Sequence, residues 1–177
     1  MSSSTIRVLC AMAAAAGLSA CSTAPASQFP PVCPTSGILN DAADITQFRG
    51  TGTDITDMVV DGRITGLGGK CTLDDAKHLR TQLTVNLDLT RGPASTNRTV
   101  DVLYFVSVSK GQSILDKRIY RLTANFPGNA DRTRLQSDEV DLVLPIDDKV
   151  QGDSYSILVG FQLTPAELAF NRSRGAR

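Results

Sequence analysis

The sequence predicts an all-β fold: one antiparallel β-sandwich of about seven strands, immunoglobulin-like or fibronectin-like in architecture, with a short C-terminal helix. Three observations carry this. From Ile38 onward apolar residues recur with a period of two, the mark of a strand with one buried face. Turn segments rich in Gly, Pro and Asn interrupt these runs at short intervals. Only the C-terminus carries a full set of helix-start signals. Membership of the immunoglobulin family in the strict sense is disfavoured, because the chain has no Trp for the core and its Cys spacing does not bridge two central strands.

Taken in chain order, the first element is a leader. Met1 to Arg7 is short and polar with one positive charge, and an Ala-dominated apolar run follows from Val8 to Leu18, too short for a permanent membrane helix. Residues 1–20 therefore read as a secretory signal peptide. The run ends in Leu18-Ser19-Ala20-Cys21, which resembles the lipobox of bacterial lipoproteins. The resemblance implies cleavage before Cys21, a diacylglyceryl group on its thiol and acylation of the new amino group. Ser22 stands where an Asp commonly retains such proteins at the inner membrane, so the resemblance points to the outer membrane, facing the periplasm. One acyl chain binds a membrane only marginally, at about 0.8 kcal/mol per CH₂, whereas two or three hold firmly.

Residues 21–36 read as a lipidated tether containing Pro25, Pro30, Pro31 and Pro34, extended at about 3 Å per residue, and 37–177 as the single sandwich domain. Cys10 leaves with the leader and Cys21 is consumed by lipid. Cys33 and Cys71 are then the two thiols left in an oxidising compartment, and a disulfide between them is the simplest outcome. Neither belongs to a C-x-x-C.

Within the domain, Leu79, Leu83, Val85, Leu87 and Leu89 alternate with polar residues from Leu79 to Thr90. Further strands are predicted from Leu39 to Phe48, Asp57 to Gly66, Thr99 to Ser109, Ile114 to Phe126, Arg134 to Leu144 and Tyr155 to Leu163. Arg91-Gly92-Pro93, Lys110-Gly111, Pro127-Gly128-Asn129 and Gln151-Gly152-Asp153 supply the reversals. Thr72 to Leu83 also fits a helical face, with Thr72 and Asp75 spaced as a capping box, so a single helical turn before the long strand is expected there. If the first two strands are antiparallel, Cys33 and Cys71 fall at the same end of the sandwich. Thr164-Pro165-Ala166-Glu167 places a capping hydroxyl, a Pro at the first helical position and a Glu three residues on, predicting a helix to about Asn171. Arg172, Arg174 and Arg177 follow as a small basic tail, either solvated or set against anionic headgroups.

Composition and motifs mostly exclude functions. Eighteen basic and eighteen acidic side chains cancel, which argues against a nucleic-acid partner. Gly69-Lys70-Cys71 lacks the glycine and hydroxyl of a phosphate loop, and Gly50-x-Gly52 lacks the third glycine of a dinucleotide loop. The lone His78 has no nucleophile motif beside it, and the carboxylates Asp54, Asp57 and Asp61, Asp138, Glu139 and Asp141, and Asp147 with Asp148 match no calcium loop. No catalytic residue, metal site or cofactor is predicted beyond the covalent lipid on Cys21.

One feature points outward. In the strand from Thr99 to Ser109, Leu103 and Phe105 stand opposite the face carrying Val100, Val102, Tyr104, Val106 and Val108, and Leu158 likewise opposes Ile157 and Val159. Apolar residues on an outer sheet face are either covered or form a contact site. Coverage by the C-terminal helix is the expected arrangement, and partner docking is the alternative. The lipobox, tether, β pattern and the ending Val159-Gly160-Phe161-Gln162-Leu163-Thr164-Pro165-Ala166-Glu167-Leu168 together resemble a group of uncharacterised proteobacterial envelope lipoproteins. The expectation is a non-catalytic structural or interaction module of the envelope, bound to the membrane by lipid and to an envelope protein or cell-wall polymer. A small-ligand carrier or hydrolase built from scattered residues such as His78, Asp74 and Arg80 is the alternative.

Overall fold

The computed structural model describes residues 30–175. The segment expected as signal peptide, Cys21, the expected tether as far as residue 29, and Ala176 and Arg177 lie outside the described residues. Among the described residues there are nine strands in two sheets, with one helix: β1 Thr35–Ile38, β2 Asp44–Phe48, β3 Met58–Asp75, β4 His78–Arg91, β5 Thr99–Lys110, β6 Ser113–Asn125, β7 Arg132–Gln136, β8 Val140–Pro145, β9 Tyr155–Phe161 and α1 Pro165–Arg174. One sheet has the order β1-β9-β5-β6; the other runs β2-β3-β4, with both β7 and β8 on the far side of β4.

The strongest sequence pattern lies at the centre of the second sheet. Leu79, Leu83, Val85, Leu87 and Leu89 of β4 are all buried, facing Val102, Tyr104, Val106, Ile157, Val159 and Phe161 of the other sheet. Each fully buried aliphatic side chain contributes about 1.5–3 kcal/mol, so this row alone accounts for much of the drive to close the sandwich.

Four expectations are corrected. The run Leu39 to Phe48 is not one strand, because the chain changes sheets within it. Leu39 N–H donates to the Val159 carbonyl at 2.8 Å in one sheet, a 3₁₀ turn spans Asn40–Ala42, and the Ala43 carbonyl accepts from Ile64 N–H at 2.9 Å in the other. β1 precedes this switch and begins inside the segment expected as tether. It also pairs in parallel with β9, so the sandwich is not wholly antiparallel.

Second, Thr72 to Leu83 contains no helical turn. It is the end of a long hairpin in which Leu73 lies opposite Leu79 and Asp75 opposite His78. Ala76 and Lys77 reverse the chain, and Lys77 N–H donates to Asp75 Oδ1 at 2.6 Å. Third, the second predicted strand continues well past Gly66. An irregularity in the pairing between Ile64 and Gly66 flips the alternation, so the inward row passes from Val60, Gly62 and Ile64 to Leu67, Gly69 and Cys71. Cys71 therefore lies inside β3 rather than after the strand.

Fourth, Arg134 to Leu144 is two strands. β7 pairs with β4 at residues 86–90 and β8 at residues 78–83. Between them Ser137 takes over the ladder, its N–H donating to the Val85 carbonyl at 2.9 Å and its Oγ accepting from Val85 N–H at 3.0 Å.

The Cys33–Cys71 disulfide is formed, with Cα atoms 5.8 Å apart, within the usual span for such a bond. It ties the segment before β1, an edge strand of one sheet, to β3 of the other. At the opposite edge of the first sheet, β6 presents its long free side. There Asp116 and Arg118 stand opposite Val108 and Val106, in the row that faces inward, and the register slips between Val108 and Ser109.

Candidate functional site

The outer face of the β1-β9-β5-β6 sheet is built by register. Leu158 of β9 lies opposite Ser107 of β5, Gly160 opposite Phe105, Phe105 opposite Ile119 of β6, and Leu103 opposite Arg121. Directly opposed residues share a face, so these side chains form one outward surface. Leu103 and Leu158 are each 37% exposed and Ile119 is 55% exposed.

Phe105 differs from its neighbours, being only 8% exposed. Lys117 Nζ sits over its ring, 4.3 Å from the centroid. Beneath it Gly160 leaves room: a Cβ there would lie 3.0 Å from the Phe105 ring and 2.8 Å from Ala42 Cβ. Of the three residues in the predicted strip, Leu103 and Leu158 reach solvent and Phe105 is a covered packing residue. Phe105→Ser is expected to cost about 3 kcal/mol in chemical denaturation, whereas Ile119→Ser should stay within about 0.5 kcal/mol of the parent. Equal effects of the two substitutions would contradict this division.

Around the apolar residues the charges are paired. Arg121 Nη1 lies 3.1 Å from Asp101 Oδ2, and these two residues share the outward face with Leu103. The Thr123 hydroxyl, donating to Asp101 at 2.6 Å with Arg121 beside it, holds the Asp101 carboxyl below its ordinary value. The surface is thus an aliphatic patch rimmed by satisfied polar groups.

The helix does not cover this patch. Thr164 caps α1 as expected: its Oγ1 accepts from Glu167 N–H at 3.3 Å, and Glu167 Oε2 accepts from Thr164 N–H at 2.7 Å. The helix packs on β2 of the other sheet. Phe170 meets Phe48 edge-on at 4.9 Å, and Asn171 Nδ2 donates to the carbonyls of Asp44 (2.7 Å) and Asp41 (3.1 Å). Arg172 pairs with Asp41 at 2.8 Å and Arg174 with Asp61 at 3.6 Å, so these two arginines of the expected basic tail bind the protein's own carboxylates. Packing on β2 satisfies the helix's aromatic and its charges together; the aliphatic outer face of β5 and β9 has no carboxylate row to match them.

The scattered residues of the carrier or hydrolase alternative meet only in part. Arg80 Nε lies 3.1 Å from Asp74 Oδ1 and its Nη1 3.5 Å from Asp141 Oδ1. His78 Nδ1 is instead 2.8 Å from Asp75 Oδ2, and that bond, with the Lys77 N–H, lowers the Asp75 carboxyl from its ordinary range. Asp74, Asp75 and Asp141 are exposed near the hairpin end, and His78 and Arg80 are half-buried there. Among the described residues no group of three His, Cys, Asp or Glu is placed to hold a metal ion, and no helix is long and apolar enough to cross a membrane.

Two residues were missed by the sequence reading. Ile119 belongs to the patch by its place opposite Phe105, which becomes readable only once the β5–β6 register is known. Thr81 is buried in the inward row of β4 with no partner for its hydroxyl, and the available signal was a hydroxyl residue in a row otherwise made of Leu and Val. Comparison with known proteins finds no matching family model, no matching curated protein and no matching solved structure.

Proposed function

We propose that this chain is a lipid-anchored, non-catalytic interaction module of the bacterial cell envelope, fixed through Cys21 to the outer membrane and facing the periplasm. The observation that carries the reading is the uncovered outer face of the four-stranded sheet, where Leu103, Leu158 and Ile119 stand in solvent on a rigid strand framework. An aliphatic patch with a polar rim suits a protein partner, since the centre of a protein interface is depleted in charge. It suits a cell-wall polymer less, because the one aromatic ring on this face, Phe105, lies under Lys117.

The test has two arms. Photo-crosslinkers placed in intact cells at Leu158 or Ile119 are expected to capture one defined envelope protein that a crosslinker at Arg134, on the other sheet, does not, and Leu103→Asp should abolish that capture. Equal capture from both positions, or capture unaffected by Leu103→Asp, would sink the docking reading. For the anchor, Cys21→Ser is expected to remove labelling by radioactive palmitate and release the chain from the membrane fraction. Intact labelling of that variant would refute lipidation at Cys21.

A further inference from the structure

We propose that the hairpin joining β5 and β6 docks on an anionic phospholipid surface, seating Ile114 and Leu115 at the headgroup boundary. This docking rests on the anchored reading above, which brings a membrane within reach. Thr35 of β1 lies opposite Ser156 of β9, Ser156 opposite Ser109 of β5, and Lys110 opposite Ser113 of β6, so the start of β1 and the tip of this hairpin share one end of the sheet. Val32 is at that end as well: a Cβ on Gly152, just before β9, would run into the Val32 carbonyl. Pro30 is nine residues from Cys21, a reach of at most about 30 Å. β5 is 12 residues long, about 40 Å, so the opposite end of the sheet is about that far from where the chain enters.

The tip has the chemistry for such a surface. Ile114 is 70% exposed and Leu115 55% exposed. Adjacent strand residues ordinarily point to opposite faces, but here the pairing passes from Val108 with Asp116 to Ser109 with Ile114, and Leu115 is the extra residue of a bulge. Neither side chain is drawn into the core, and two neighbouring aliphatic groups stand in solvent at the end of a paired ladder. Residues 110–119 carry three cations, Lys110, Lys117 and Arg118, and one carboxylate, Asp116, which Arg118 holds at 2.9 Å. Among the described residues the ion pairs are made by Arg and His; Lys110 and Lys117 take part in none, and Lys117 rests on the Phe105 ring. The loop that brings Asp147 near Lys110 also carries Asp148, so the positive contact is confined to the hairpin. Apolar side chains flanked by ammonium groups suit the interface of an anionic membrane, where buried area and charge attraction act together. With this end on lipid, the face carrying Leu103 and Leu158 stands upright and open to the side.

For the test, the full-length chain is reconstituted into vesicles of phosphatidylethanolamine and phosphatidylglycerol, with an environment-sensitive fluorescent amino acid at Leu115 or, beyond the far end of β5, at the exposed Asn97. Either lipid on Cys21 or the apolar run from Val8 to Leu18 holds the N-terminus there, so an unlipidated Cys21 would defeat the anchor reading without deciding this one. Spin-labelled lipid is expected to quench the probe at Leu115 and not that at Asn97. Ile114→Asp, at a position too exposed to matter for folding, should abolish the quenching with melting unchanged. Lys110→Glu, raised salt or phosphatidylcholine vesicles should each weaken it several-fold. Equal quenching at the two positions, none at Leu115 in chains that float with the vesicles, or quenching indifferent to both substitutions would overturn the proposal. A Leu115 probe shielded from water yet untouched by the lipid quencher would give the tip to a protein instead, and would overturn it equally.

Discussion

Reduction of the Cys33–Cys71 bond is expected to lower the melting temperature by about 10 °C. The two residues are 38 apart in sequence, and closing such a loop removes about 4 kcal/mol of chain entropy from the unfolded state. At about 2–4 °C per kcal/mol for a domain of this size, the shift follows. The structure adds a reason to expect the full effect. β1 is only four residues long, lies at a sheet edge and is paired in parallel with β9, so little else fixes the N-terminal end of the domain. Differential scanning calorimetry with and without reductant, beside a Cys33→Ala/Cys71→Ala variant, provides the check. A change under about 2 °C in both would show that the bond constrains nothing the fold does not already hold.

Phe161→Ala should destabilise the domain by about 3–5 kcal/mol, with a fall in melting temperature again on the order of 10 °C. Phe161 ends β9 and is among the largest fully buried side chains. It pairs with Tyr104 within its own sheet, and its ring reaches across to Gly62 of β3, where a Cβ would stand 3.6 Å from Cζ. Removing the ring leaves a cavity between the sheets at the point where the chain also changes sheet. Backbone on both sides is hydrogen-bonded, so the site has little freedom to collapse. Urea unfolding measures the loss directly; a value below about 1.5 kcal/mol would mean that neighbouring side chains relax into the space.

The fold was legible where one residue type dominates a face. β4 could be read from its alternation of Leu and Val with polar residues, and α1 from Thr164, Pro165 and Glu167, because capping is chemistry between near neighbours. What was lost depended on partners distant in sequence. The turn at Ala76 and Lys77 has neither Gly nor Asn, so Leu73 and Leu79 suggested one helix face when they are in fact cross-strand partners. The irregularity near Thr65 reversed the alternation of β3 and hid its second half behind Gly66, Gly68 and Gly69. Ser137 divides β7 from β8 without any breaker residue, since its side chain substitutes for a backbone pair.

The candidate surface shows the same limit. Leu103 and Leu158 could be assigned outward from parity alone. That Phe105 is covered while Ile119 is not depends on Lys117 of β6 and Gly160 of β9, which only register brings to it. The destination of α1 was likewise set by the carboxylates Asp41 and Asp61, whose position beside the helix follows from the sheet switch at residues 39–43.

The free side of β6 has a consequence for behaviour in crowded surroundings. A bare strand of this length would ordinarily template growth by another chain, the step that begins fibril formation. Here a newcomer would have to lie beside Asp116 and Arg118 in the row that continues the core, leaving ionic groups enclosed between stacked layers, and would meet a strand whose spacing slips near Ser109. Growth by addition of a strand to this edge is therefore disfavoured even where copies are concentrated together.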